Sequence, residues 1–378
     1  MALARLSRRA FAASVAVCTA GVMTAAPAGA HTGHSHDKHH SHLTVLLDDL
    51  SSPKGLTIAP NGDPVVGQGA FGGPGPVLEY VLHGPDRGTT IPLSDPFRYG
   101  DVAAAPDGTG WALGAGSAEE GVPGDTWLYH RDVDGNVTQV VDIAAYQATD
   151  PDPEDQDVPA NPTESNPYGL AATHNGDALV TDAANNDLLR ITPAGDVTTV
   201  ARFSTEAVST DQIPPEIPGP FPDTIDAEAV PTTVTIGPDG FAYVGELKGF
   251  PFHTNSSRIW RINPNADGAQ CKAGASTGGC RFYAKGFTAI QDIAFNKHTG
   301  ALYVLELAKD GVFAFEAALE GAGAVPFPDA VLLKVSHNKR TELAKGKLSQ
   351  PGGVAVGKRG GVFVTDQVFT GGRLSLIH

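Results

Sequence analysis

Along HNGDALVTDAANNDLLRITPAGDVTTV, residues 174 to 200, short apolar runs alternate with polar turn formers at a spacing too tight for helices. Ala178 to Thr181, Leu188 to Ile191 and Val197 to Val200 read as strands, divided by Asn175-Gly176 and by Pro193 to Gly195. Tyr168 to Thr173 supplies a fourth strand just ahead of them. Four antiparallel strands in a meander make one propeller blade, which buries its faces only when repeated.

The same frame recurs as PKGLTIAPNGDPVVGQ, YGDVAAAPDGTGWALG, PYGLAATHNGDALVTD, PTTVTIGPDGFAYVGE, QDIAFNKHTGALYVLE and PGGVAVGKRGGVFVTD. The turn glycines are Gly62, Gly108, Gly176, Gly240, Gly300 and Gly360, between 46 and 68 residues apart, wider than the roughly 40–50 of a compact blade, so long loops are inserted. The pattern predicts an all-β fold, a six-bladed β-propeller over residues 43–378. After the last frame the chain stops one strand short of a blade. The orphan strand Leu43 to Leu47 is expected to complete that blade and close the ring, which removes an exposed edge.

In such a blade the loop after the second strand and the link into the next first strand share one face. QGAFGGPGP, DPDPEDQDVPANPTES, GELKGFPFHT and TDQVFTGG all fall there, and short turns are expected on the opposite, far face. Six places after each turn glycine stand Gln68, Gly114, Asp182, Glu246, Glu306 and Asp366, a ring rich in carboxylates. Asp101 and Asp292 enter the first strands nearest the axis. Such a ring could hold Ca²⁺, which takes oxygen ligands, or serve as general acid and base. Alternatively each carboxylate caps backbone N–H groups of its own loop or of the next blade. Tyr168, Phe250 and Phe252 either line a pocket on this face or cover the rim of the core.

The first 30 residues have a basic start, a small-residue apolar middle and an A-x-A-like end, the pattern of a cleaved export signal. Arg8 and Arg9 fit either a twin-arginine address or an ordinary basic start. Residues 31–42, HTGHSHDKHHSH, form a polar tail expected to be disordered. Its His31, His34, His36, His39, His40 and His42 are either a Cu²⁺ or Zn²⁺ site or a tail with incidental metal affinity. No later run reaches the length of a membrane span, so a secreted, extracellular monomer is expected. In an oxidising compartment Cys271 and Cys280, close together in a Gly/Ala/Ser-rich stretch, are expected to form a local disulfide.

Charge narrows the partners. With 26 Lys and Arg against 42 Asp and Glu the formal net charge is −16, and loss of the signal makes it more negative. Such a surface repels phosphate backbones and excludes nucleic acid as a partner. The acidic, proline-rich run at Asp150, Asp152, Asp155 and Asp157 lacks calcium-loop spacing and reads as a solvated loop. No nucleophile elbow, phosphate-binding loop or zinc-protease helix occurs, and the isolated histidines share no ligand spacing.

The third frame looks like an NHL-type repeat. More specifically, SNPYGL at Ser165 to Leu170, VPTTVTIGPDGFAYVGELKGFPF at Val230 to Phe252 and GFTAIQDIAFNKHTGALYVLE at Gly286 to Glu306 resemble the ScyD/ScyE family of exported proteins, named from the scytonemin pigment pathway. The resemblance spans most of residues 43–378. It implies a secreted propeller with no established reaction, so no catalytic residue carries over. Related six-bladed propellers include calcium-dependent lactonases of the gluconolactonase type, which hold the metal with Glu, Asn and Asp at the channel mouth; this chain does not match their motifs residue by residue. Two functions are therefore expected as alternatives. One is binding of a small molecule or an extracellular partner on the loop face, through Glu246, Glu306, Asp292, Asp101, Gln68, Tyr168, Phe250 and Phe252. The other is a calcium-dependent hydrolase, lactonase or lyase that uses the same carboxylates.

Overall fold

A computed structural model of the chain describes residues 41–116, 125–157, 159–321, 323–337 and 339–378. Residues 1–30, read from the sequence as an export signal, and His31, His34, His36, His39 and His40 of the tail lie outside these residues. Six antiparallel sheets carry the chain, with inner strands Leu56–Ile58, Tyr99–Ala104, Pro167–Ala172, Pro231–Ile236, Ile290–Phe295 and Val354–Val356 in blades one to six. Each inner strand packs beside the next, and that of blade six beside that of blade one, so the ring is closed. All six turn glycines adopt positive φ, from 70° to 101°, the region where a side chain would be strained.

Closure follows the expected route. The strand Leu43–Leu50 pairs antiparallel with Gly372–Ile377, Leu43 facing Ile377 and Thr44 facing Leu376, and becomes the outer strand of blade six. The core is divided into one apolar seam per pair of neighbouring blades. Leu179, Leu188 and Val200 of blade three meet Val244, Trp260 and Ile262 of blade four. Leu46, Leu47 and Leu50 help to fill the seam between blades six and one, against Phe363 and Leu374.

Several elements depart from the simple meander. The pair Glu206–Ser209 and Thr224–Ala227 forms a separate hairpin between blades three and four. Helices span Ile143–Gln147 and Val312–Glu320, the second between strands of blade five on the loop face. The far face also carries more than short turns. Between Ile262 and Cys280 the chain leaves blade four, and Ala269–Cys271 adds a parallel fifth strand to blade three, with Phe203 facing Cys271. The disulfide Cys271–Cys280 thereby ties the edge of blade three to the outer strand of blade four. A bridge closing so short a loop contributes about 2–3 kcal/mol at most.

Candidate functional site

The inner strands begin at the loop face, and the residues at or just ahead of their starts converge on the axis. Counting eight places back from the turn glycine finds Lys54, Gly100, Tyr168, Thr232 and Gly352, with Gln291 nine places back in blade five because its turn is one residue longer. Lys54 Nζ donates to the carbonyl of Tyr168 at 2.6 Å and lies 3.7 Å above its ring. Gln291 Nε2 donates to the Tyr168 hydroxyl at 2.9 Å and approaches the Gly352 carbonyl at 3.3 Å. Blades one, three and five thus form a polar bar across the axis.

The next position in each strand carries Asp101 and Asp292, on blades that stand opposite in a ring of six. Each is partly exposed, and each reaches into the following blade. Asp101 Oδ2 accepts from Leu170 N–H at 2.8 Å, and Asp292 Oδ2 accepts from Val354 N–H at 2.7 Å. The facing residues are glycines because nothing larger fits. A Cβ on Gly169 would lie 2.6 Å from Thr233 Cα, and one on Gly353 would lie 2.8 Å from the Lys54 carbonyl oxygen. Asp292 Oδ1 also accepts from the Thr233 hydroxyl at 2.6 Å.

The electrostatics follow from this geometry. Burial, and then the like charge of Asp101, push Asp292 up to about 7 despite its three donors. Burial also raises Asp101, with Lys54 acting against it. The ammonium of Lys54 is lowered by burial and sustained by Asp101 and Asp292. Burial raises the Tyr168 phenol above its ordinary value, so near neutral pH it remains a hydrogen-bond donor. The site therefore gathers one lysine amine, one phenol, one amide and two carboxyls, of which Asp292 is pushed up to about 7.

The ring six places beyond each turn glycine has a different role. Gln68 accepts from Ser51 N–H at 2.8 Å and donates to the Pro76 carbonyl at 2.9 Å. Asp182 accepts from the Ser165 hydroxyl at 2.6 Å and from Asn166 N–H at 2.7 Å. Glu306 accepts from Thr288 N–H at 2.9 Å, and Asp366 forms a two-toothed pair with Arg373 at 2.6 and 2.7 Å. Glu246 accepts from Trp260 Nε1 and lies 2.8 Å from Lys248 Nζ, both side chains being 1% exposed. Each group anchors loops around its own blade. Phe250 and Phe252 pack with Phe221 and Phe313 into an aromatic cluster over blades four and five.

In the acidic run, Asp152 is buried and accepts from Asn186 Nδ2 at 3.0 Å, and Asp150 pairs with Arg202, so the loop is fastened to blade three at these points instead of being wholly solvated. His42 is exposed, with its ring 6.4 Å from that of His378. Among the described residues no three His, Cys, Asp or Glu side chains come together to hold a metal ion, and no helix is long and apolar enough to cross a membrane. At the mouth the two carboxyls, Asp101 and Asp292, are close enough to Lys54 to act on its charge.

The raised carboxyls make stability depend on pH in a defined direction. Asp292 and Glu306 are pushed to about 7, and Glu228 and Glu316 to about 8, chiefly by burial. Each binds its proton more tightly folded than unfolded, so its contribution is full below about pH 4 and is lost as pH rises through 7–8. Thermal unfolding is expected to show a falling midpoint between pH 5 and pH 8, with a shallower fall in Glu306→Gln. A midpoint that rises over this range would contradict the assignment.

No family profile and no curated sequence matches the chain. Among solved structures it is similar to a glucose dehydrogenase at 13% identity, covering 89% of this chain and 99% of that one, with a TM-score of 0.53. The apo-form of the soluble aldose sugar dehydrogenase of Escherichia coli aligns at 15% identity over 89% and 99%, with a TM-score of 0.50. A streptogramin B lyase aligns at 16% identity over 89% and 97%, with a TM-score of 0.48. At such identities the likeness to the two dehydrogenases extends to the fold alone.

Proposed function

We propose that the protein is an exported propeller of the ScyD/ScyE kind that binds a small, polar, hydroxyl-bearing molecule at the loop-face mouth of its axis. The observation that carries this reading is the meeting of Lys54, Tyr168, Gln291, Asp101 and Asp292 from four different blades. Donors and acceptors of both charge signs, with the two carboxyls and the phenol partly exposed and Lys54 and Gln291 buried behind them, suit a ligand with several hydroxyl or carbonyl groups. In this reading Phe250 and the loops of blades four and five are taken as the apolar rim of the mouth. Glu246, Glu306 and Gln68 serve the same site indirectly, by fixing the loops around it.

Asp292 favours a second reading of the same mouth. A carboxyl near 7 beside a phenol and an ammonium can donate and accept protons, so an acid–base hydrolase or lyase is the alternative. Saturation-transfer NMR with glucose and glucono-δ-lactone tests both readings on the intact protein. Transfer that disappears in Lys54→Met and Gln291→Leu supports binding at the mouth, and conversion of the lactone faster than in buffer, lost in Asp292→Asn, supports catalysis. No transfer from either compound, or transfer unchanged in both variants, overturns the axial site.

A further inference from the structure

The seam between blades one and two is filled differently from the others. Every strand of blade one has three residues, against five or six in blade two. The face that blade two turns toward blade one carries Ala104, Gly110 and Ala112 on its inner strands, all partly exposed although they lie inside the ring. The short strands and small side chains leave a cavity of about 330 Å³ between the two sheets. It reaches the far-face turns at Pro60 and Gly108, on the other side of the disc from the axial mouth.

The walls are apolar and aromatic, with Val65 and Val77 on one side and Val102 and Tyr129 on the other. Arg131 also lines the space. Its Nε is buried without a hydrogen-bond partner, and among the described residues no carboxylate lies within ion-pairing distance of its guanidinium. Glu79, on the opposite wall, accepts from Asn61 Nδ2 at 2.6 Å and remains an acceptor at the cavity edge. A buried guanidinium donor without an acceptor is costly, and a carboxylate satisfies it with two parallel hydrogen bonds.

We propose that this interblade cavity is a second binding site, which takes a compact aromatic carboxylic acid. The ring lies between the valines and Tyr129, the carboxylate pairs with Arg131, and a hydroxyl on the far edge of the ring donates to Glu79. The volume is that of a small-ligand pocket, at the lower end of the range of about 300–1,000 Å³.

Isothermal titration of the full chain with 6-hydroxy-2-naphthoate and with 2-naphthol, which lacks the carboxylate, tests this site. Saturable binding of the acid, at least about tenfold tighter than of the naphthol, is expected. Arg131→Met should reduce the acid to the level of the naphthol, and Ala112→Ile, which fills the cavity, should abolish both. Circular dichroism melting separates loss of the site from loss of the fold, and Arg131→Met remains decisive if Ala112→Ile does not fold. Absence of saturable binding, equal affinity for the two compounds, or acid binding unchanged in Arg131→Met would overturn the proposal.

Discussion

Deletion of residues 43–49 is expected to cost on the order of 5–10 kcal/mol and either to abolish the cooperative unfolding transition or to lower its midpoint by more than about 10 °C. The strand supplies Leu46 and Leu47 to the seam between blades six and one and Leu43 to that between blades five and six. Each apolar side chain moved into water costs about 1.5–3 kcal/mol when fully buried, and less for these partly buried ones. The backbone contributes further, because Gly372–Ile377 keeps Val362–Asp366 but loses its outer partner and becomes a free edge. A free edge pairs with other chains, so the variant should also self-associate. Calorimetry with light scattering measures both effects, and an unchanged melting curve would show that the ring is closed by something else.

The second large effect lies in blade four. Glu246→Gln is expected to destabilise by about 3–5 kcal/mol, because it leaves the Lys248 ammonium buried without its close partner. Lys248 Nζ is 2.8 Å from Glu246 Oε2 but 3.8 Å from Glu206, whose side chain is 26% exposed and compensates only in part. The indole of Trp260 loses a charged acceptor in the same change. The double variant Glu246→Met/Lys248→Met removes both charges and should recover most of the loss. Urea unfolding checks this through the midpoint at constant slope. A single variant within 0.5 kcal/mol of the parent would mean that the pair is hydrated and not buried.

What the sequence conveys about this molecule depends on the range of the interaction. The turn glycines, the inner strands and the closing strand are local patterns, fixed by φ and by alternation, and all are legible at Gly62, Tyr168 or Leu43. The disulfide is also local. The parallel strand Ala269–Cys271 is not, because adding an edge to blade three depends on where blade four places its outer loop. The hairpin from Glu206 to Ala227 lies in a proline-rich stretch that breaks the periodic pattern. Asp101, Asp292 and Tyr168 stand out because polar residues near the axis are conspicuous. Lys54 and Gln291 become visible only when the frames are counted backward from the turn, where the extra residue of blade five shifts the alignment. Counted forward, the same frames find Gln68, Glu246 and Glu306, whose regular spacing reflects a repeated anchoring task more than a shared ligand.

The underlying claim is that opposite blades bring two carboxyls and one ammonium together at a single mouth. Carbon-13 NMR of the aspartate carboxyls, with Asp292 assigned by its loss in Asp292→Asn, measures this most directly. The account predicts that Asp292 titrates near 7 and that Asp101→Asn, by removing the facing charge, moves it toward the ordinary aspartate value. Titration of Asp292 near 4 in the parent, unaltered by Asp101→Asn, would place the two carboxyls in separate, hydrated surroundings and contradict the axial site.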